Sequence, residues 1–450
     1  MTKAVRQYRN IVYAYADRFR PPVLVDQHVA LATPVQCPQV PGLLEQAMGT
    51  ADMPMDEQCL TLNVFSPDSP TALLPVLVWI HGGAFTNGTG NASWYDGSNL
   101  ASRGCVVVAV NYRLGSFGFT GHADVGLQDQ IAALTWVRNN IQRFGGDADN
   151  VTIFGESAGG CSVVALYASP SAKSLFHRGW AMSPSLGQLR TLSRADESKQ
   201  RLLADLQASS LSDIDTTPHS DMIASQGRLL RDPKDVVTMF SPTVGGDVVA
   251  ANAHDLIAQD ERPLVLGTMR DESRLWVALN PSASSLTQEA VLTEFESRFG
   301  DSTHHAWNAY QSLRPGSSPA QMLAAMQSDE SFRVPAWRVV DARDKAGCAT
   351  WKYFFTWPTP VFDGILGACH GLDIPFVFDN VDAPNVEHFI GVSPAHRHLA
   401  DTLAGALLEF AANANPGWHP TNGTRTVLRV DERNETVVDL ERELYDLWVR

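Results

Sequence analysis

The sequence predicts an α/β fold with a mainly parallel central sheet flanked by helices, and three observations predict it. Continuous apolar runs recur along the chain, as expected of strands buried on both faces. Segments with helical apolar spacing separate those runs. Two glycine-rich turns also stand directly after two of them. His81-Gly82-Gly83-Ala84-Phe85 follows the run 76–80, and Gly155-Glu156-Ser157-Ala158-Gly159-Gly160 follows the run 151–154. Strands that alternate with helices imply parallel pairing through crossover connections.

In chain order, the strand candidates are 75–80, 105–112, 151–155, 178–182, 263–268 and 351–356. Helix 128–144 carries Ile131, Leu134, Val137 and Ile141 near helical spacing and stops at Gly145-Gly146. Helix 157–168 leaves the second glycine-rich turn and ends before Pro170. Further helices are expected over 194–207, 288–299, 319–327, 336–346 and 394–412. The stretches 186–262 and 274–350 are helix-leaning and break the alternation. They are read as helical insertions at the C-terminal edge of the sheet, where such segments cover a ligand crevice. Length alone suggests about three domains. The chemistry-bearing motifs, however, run from residue 81 to residue 370 and must meet in one site. A single domain over 1–450 is therefore expected.

With 450 residues, 44% of them hydrophobic, the chain can bury a large core. Its formal charge of −15 disfavours nucleic acid and anionic membrane surfaces as partners. No apolar run reaches the roughly 18 residues of a membrane-spanning helix. The first nine residues carry no apolar leader, so the chain as written is expected in the cytoplasm. The six cysteines form no zinc or C-x-x-C spacing, and no dinucleotide or P-loop fingerprint occurs. Nothing in the sequence calls for a metal or a cofactor. Cys105 and Cys161 read as small core residues.

The second turn fits G-x-S-x-G, a tight strand-to-helix turn that presents a serine hydroxyl. The first fits a loop whose N–H groups meet the negative oxygen formed in acyl transfer. A serine hydroxyl needs a base to take its proton, and the base needs an orienting carboxylate. In this chain order the acid closes a later strand and the histidine follows it. His370 stands out among 13 histidines because it lies in a small-residue loop, Leu366-Gly367-Ala368-Cys369-His370-Gly371. His81 more naturally braces the first loop. For the acid, Asp271 and Glu272 both stand just past strand 263–268, and residue chemistry alone does not choose between them. Asp373 is a third candidate, better suited to supporting the histidine loop.

Beyond these sites, the chain resembles the type-B carboxylesterases over nearly its whole length. That family includes bacterial p-nitrobenzyl esterases and the cholinesterases. The resemblance rests on Arg18-Phe19-Arg20-Pro21-Pro22, on Glu57-Gln58-Cys59-Leu60-Thr61-Leu62-Asn63-Val64 and on both glycine-rich turns. It continues through Asn111-Tyr112-Arg113-Leu114-Gly115, Gly126-Leu127-Gln128-Asp129-Gln130, Arg270-Asp271-Glu272 and His370-Gly371-Leu372-Asp373-Ile374-Pro375-Phe376.

The resemblance implies an α/β-hydrolase fold and a serine carboxylesterase acting on small esters. It makes Ser157 the nucleophile, Glu272 the acid and His370 the base, with Gly83, Ala84 and Ala158 as oxyanion donors. Ser183 matches a serine that hydrogen-bonds the acid in related enzymes, and a strand-end serine satisfying a local carbonyl fits equally well; Glu156 is implied to lie in the polar floor. Cys37 and Cys59 match a family disulfide; in a cytoplasmic protein they are expected to be reduced, close enough to bond and not required for catalysis. Arg18 with Glu57, and Arg113 with Asp129, should be structural ion pairs. His370 should titrate near pH 6–7.

Departures from the family pattern are a late start, with little of the opening hairpin before Tyr8, and Ser273 where glycine is usual. No tryptophan lies between Cys37 and Cys59, where cholinesterases bind their cationic group, so choline esters are poor candidates. The same machinery also suits carbamates, amides or lactones. A second class of reading is a catalytically dead, cholinesterase-like binding protein. The presence of Ser157, Glu272 and His370 together argues against it.

Overall fold

The computed structural model describes residues 4–25, 29–68, 71–232, 236–278 and 280–449. Met1, Thr2 and Lys3 of the N-terminal segment lie outside the described residues, as do 233–235 of the first insertion and 279 of the second. A ten-stranded sheet runs through the molecule in the order β1-β4-β6-β5-β7-β8-β9-β10-β11-β12. The strands are β1 (Val5–Val12), β4 (Thr61–Pro67), β5 (Leu74–Ile80), β6 (Val106–Val110), β7 (Gly146–Glu156), β8 (Arg178–Met182), β9 (Leu264–Met269), β10 (Thr350–Phe355), β11 (Thr426–Val430) and β12 (Glu435–Val438). A separate two-stranded ribbon pairs β2 (Ala14–Tyr15) with β3 (Val23–Leu24).

Every pair from β6 to β11 in that spatial order is parallel, while β1–β4, β4–β6 and β11–β12 are antiparallel. The apolar runs are continuous because both faces of the sheet are covered. In β5, Val76, Val78 and Ile80 enter one hydrophobic core, and Leu77 and Trp79 enter the other. In β6, Val106, Val108 and Val110 take the first side, and Val107 and Ala109 the second. A strand of period-two alternation could not do this.

The chain order of β5, β6 and β7 puts β5 between the other two, with crossovers leaving to both sides. Open α/β sheets place their ligand crevice beyond the carboxyl ends of strands at such a reversal. Both glycine-rich turns leave the sheet there, one after β5 and one after β7.

The segments 186–262 and 274–350 are largely helical. The first contains helices Leu192–Asp205, His219–Leu229 and Ala253–Gln259. The second contains Arg274–Val277, Gln288–Phe299, Thr303–Leu313, Pro319–Ser328 and Val334–Lys345, with a π-helical turn, Asp329–Arg333, before the last. Part of the second insertion builds a small core of its own. Val291, Phe295, Trp307, Tyr310, Met322 and Met326 meet there, joined by Leu444 of the C-terminal helix Arg442–Trp448. Among the described residues, no helix is long and apolar enough to cross a membrane.

Candidate active site

Four strand ends contribute the site. β5 ends in the loop 81–85, β7 in Ser157, β9 in Glu272 and β10 in the segment that reaches His370. Ser157 has φ 58° and ψ −117°, a left-handed conformation that ordinary residues avoid. Two hydrogen bonds hold the turn: Ser157 N–H donates to Met182 O at 2.9 Å, and Cys161 N–H donates to Ser157 O at 2.8 Å. The helix Ala158–Tyr167 then crosses so close to the sheet that a Cβ on Gly159 would lie 1.9 Å from Ile80 O. That approach explains the glycine two places after the serine.

The first loop is equally contorted. Gly83, Ala84 and Phe85 all have positive φ, at 103°, 54° and 61°. A Cβ on Gly83 would sit 2.1 Å from Asn87 O, so only glycine fits there. Successive peptides in such conformations form concavities that bind anions through their N–H groups. Gly82 backs onto Ser157, where an added Cβ would stand 3.1 Å from the serine Cβ. His81, buried and stacked on Tyr112 with ring centroids 4.5 Å apart, braces the loop. Burial holds its pKa down at about 4, so it stays neutral.

Asp271 and Glu272 have separate partners. Glu272 is fully buried; its Oε1 accepts from Met269 N–H at 2.8 Å, and its Oε2 lies 2.6 Å from His370 Nδ1. Asp271 instead accepts from Ala368 N–H at 3.0 Å and pairs with Arg270 and Arg274. It pins the loop that carries His370 and does not itself bond the imidazole. Asp373 accepts from Tyr353 OH at 2.6 Å, beneath the same loop. Burial, with Glu156 and Glu272 nearby, raises its pKa to about 8, so it is largely neutral at pH 7.

His370 is buried and faces a carboxylate at each ring nitrogen. Its Nε2 stands 2.9 Å from Glu156 Oε1 and makes no hydrogen bond to Ser157. Burial opposes a charge on the ring, but Glu156 and then Glu272 outweigh it and push the pKa up to about 10. This corrects the expected titration near pH 6–7. That value allowed for one carboxylate, and the fold supplies two. The nearness of Glu156 to Ser157 in sequence was legible. Its contact with the histidine was not, because 214 residues separate them.

One further expectation changes. Ser183 is buried with φ 40°, and among the described residues its hydroxyl makes no hydrogen bond to Glu272 or any other group. The glutamate oxygens are already engaged by Met269 and His370. Cys37 and Cys59 are reduced, buried thiols within hydrogen-bonding reach of each other, and Cys37 Sγ also accepts from Leu114 N–H at 3.2 Å. Cys105 and Cys161 are buried, as read. The two ion pairs form: Arg113 Nη2 lies 2.7 Å from Asp129 Oδ1 in the interior, and Arg18 Nε donates to Glu57 Oε2 at 2.8 Å.

Comparison with known proteins decides the family. The model of the Carboxylesterase family matches residues 1–447. The chain belongs to this family. It is 34% identical to the para-nitrobenzyl esterase of Bacillus subtilis (strain 168) over 446 residues, covering 93% of this chain and 88% of that relative. It is 33% identical to the phenmedipham hydrolase of Pseudarthrobacter oxydans over 381 residues, covering 82% and 76%. Among solved structures, a thermophilic PNB esterase superposes with a TM-score of 0.85 at 32% identity, covering 99% of this chain and 96% of that one. A Geobacillus stearothermophilus carboxylesterase also superposes at 0.85, with 29% identity and 100% and 97% coverage. The fold is thus the α/β-hydrolase fold, and the protein is a carboxylic ester hydrolase of the serine type.

Sequence reasoning missed the aromatic surround of the histidine. Trp276 and Phe332 lie with ring centroids 5.0 and 4.7 Å from the imidazole. Trp276 sits one helical turn past Glu272, and that spacing was a usable signal. Phe332 belongs to the π-helical turn inside the second insertion, where no periodicity points at the site.

Proposed function

We propose that Ser157 is the nucleophile, His370 the base that takes its proton, and Glu272 the acid that orients His370 and stabilises its charged form. Ser157 Oγ attacks the ester carbonyl, and its proton passes to His370 Nε2. The new oxyanion is met by the N–H groups of Gly83, Ala84 and Ala158. The alcohol leaves with a proton from His370, and water reverses the steps to release the acid. The substrate is a small-molecule carboxylic ester. Carbamate, amide and lactone analogues present the same carbonyl.

The observation that carries this reading is the bond from His370 Nδ1 to the fully buried Glu272, at the edge where the contorted Ser157 turn ends β7. Glu156 supports a further point. With Nε2 facing Glu156, the resting ring holds its proton between two carboxylates. The working form is the deprotonated ring, with Nε2 turned to Ser157 Oγ. Apo sites often tighten in this way only when substrate binds.

The test is a hydrolysis panel of p-nitrophenyl esters of increasing acyl length, with amide and carbamate analogues, run on the wild type and on Ser157→Ala. Hydrolysis at near wild-type rate by Ser157→Ala would sink the mechanism.

A further inference from the structure

In the reaction above, the N–H groups of Gly83 and Ala84 meet the oxyanion, so the directions in which they point matter. A peptide unit is planar and trans, and its N–H points opposite to its C=O. Each donor is therefore aimed by whatever holds the carbonyl of the same peptide. Gly83 O, in the peptide that carries Ala84 N–H, accepts from Thr86 N–H and from Asn87 N–H, both at 2.9 Å. Gly82 O, in the peptide that carries Gly83 N–H, lies 2.8 Å from His81 Nδ1. A carbonyl can only accept, so the neutral His81 ring carries its proton on Nδ1.

Gly88 closes the loop against that second peptide. Its φ is 111°, and a Cβ there would stand 2.4 Å from His81 Nδ1 and 2.5 Å from Gly82 O. The contact between His81 and Gly82 thus rests on the Gly88 backbone. One side chain from outside the loop meets both polar groups of that backbone. Gln39, 2% exposed, accepts from Gly88 N–H through Oε1 at 2.6 Å and donates from Nε2 to Gly88 O at 2.9 Å. The backbone N–H can only donate, which fixes the amide with its oxygen towards Gly88 N–H.

Gln39 is itself held. Its Nε2 also donates to Cys37 O at 3.0 Å and to Gln36 Oε1 at 3.2 Å, and Gln36 Nε2 donates to Thr50 O and Met53 O. The segment 36–53 is thereby tied to the loop beside Ser157. Three successive residues with positive φ, Gly83 to Phe85, need such ties, because strained backbone persists only where its surroundings over-determine it.

We propose that Gln39 is a positioning residue for the oxyanion donors. By clamping Gly88 it fixes the Gly82–Gly83 peptide, and with it the aim of Gly83 N–H. This rests on the catalytic reading above. Nothing in the chemistry of the triad requires Gln39, which lies 118 residues before Ser157 in sequence.

The measurement is the ratio of kcat/KM for p-nitrophenyl acetate to kcat/KM for its thiono analogue, in which sulfur replaces the carbonyl oxygen. Both esters need Ser157 and His370. Sulfur is larger and a weaker hydrogen-bond acceptor, so only the oxygen ester draws fully on the donors. Gln39→Met keeps the length of the side chain and removes both bonds to Gly88. It should lower the ratio roughly 10- to 100-fold, somewhat less than outright loss of an oxyanion donor. A trifluoromethyl ketone, whose adduct with Ser157 carries an oxyanion, should bind more weakly by a similar factor.

A folded Gln39→Met protein with an unchanged ratio would overturn the proposal, as would equal losses on both esters with a lowered Tm. If Gln39→Met does not fold, the ratio in Gln39→Asn decides in the same way, since that amide is one methylene too short to meet both groups of Gly88. Failure of the catalytic reading looks different: Ser157→Ala would still hydrolyse both esters, or the wild-type ratio would not exceed that of alkaline hydrolysis.

Discussion

The sheet edge and the second insertion face each other across His370, and different forces hold them. On the sheet side, Ser157, Glu272 and the loop 81–85 end strands whose side chains are buried in two large apolar cores. Their backbone strain, at Ser157, Gly83, Ala84 and Phe85, is held by that mass of burial. On the insertion side the apolar core is small, and the segment touching the site is tied by Asp329, Arg333, Glu441 and Arg314. Buried ion pairs contribute little net stability, yet breaking one by removing a partner is costly. Such a knot therefore fixes a position more than it adds stability. The comparison teaches a division of labour: the sheet edge holds the strained turns and Glu272, and the insertion packs aromatic rings on His370.

The largest effects should come from the sheet side and leave the fold intact. Ser157→Ala should lower kcat by roughly 10⁴–10⁶ with an unchanged circular-dichroism spectrum and Tm. Glu272→Gln should cost about 10⁴ in kcat, because a neutral amide cannot stabilise the imidazolium and can favour the wrong tautomer. Asp271→Asn separates the neighbouring carboxylates. Asp271 holds Ala368, Arg270 and Arg274, so its loss should appear as destabilisation of about 3–5 kcal/mol in urea melts, with a much smaller change in kcat. A crippled Asp271→Asn beside an active Glu272→Gln would exchange their roles.

An intermediate effect should come from the insertion core. Phe295 is fully buried against Trp307 and Tyr310. Phe295→Ala should cost about 3–5 kcal/mol locally. Hydrogen exchange should then show faster opening of Gln288–Phe299 and Thr303–Leu313, with protection of β5 to β9 retained. Uniform loss of protection over the sheet would show that the two regions unfold as one.

Legibility in the sequence followed the same division. The strand run 178–182 matches β8 residue for residue, and helix 288–299 matches its span, because burial on both faces and helical spacing leave marks in a single segment. His370 meets Glu272, and the Ser157 turn ends β7 at the same edge of the sheet. β11 and β12 leave little mark because Arg429 and Glu435-Thr436 interrupt their short apolar runs. Helix Thr303–Leu313 was also missed; its N-terminal Thr-His-His reads as polar loop. What depends on contacts between distant residues was not legible: the second carboxylate on His370, the unbonded Ser183 hydroxyl and the ring of Phe332 beside the histidine. Choosing Glu272 over Asp271 needed the family resemblance, because adjacent carboxylates look alike until the fold aims one inward.

The finest test of the comparison is the pH dependence, because it reads the one group both regions touch. His370 must be neutral to accept the Ser157 proton, so kcat/KM should rise with pH as the ring loses its own proton. With Glu156 and Glu272 at its two nitrogens, that ionisation lies above the ordinary histidine value of about 6.5. Glu156→Gln removes one of the two charges that favour the imidazolium, so the acid limb should move to lower pH. Phe332→Leu, which changes only an apolar ring packed on His370, should move it far less.

The same raised pKa governs stability. A histidine that binds its proton more tightly when folded contributes stability that is fully present below about pH 6.5. That contribution is lost as pH climbs towards about 10. Glu156→Gln should therefore flatten the fall in urea-melt stability between those limits, while shifting the kinetic limb the opposite way from any added carboxylate. A kcat/KM profile unchanged in Glu156→Gln would mean that Nε2 has already left Glu156 in the free enzyme, and that the sheet edge alone sets the base.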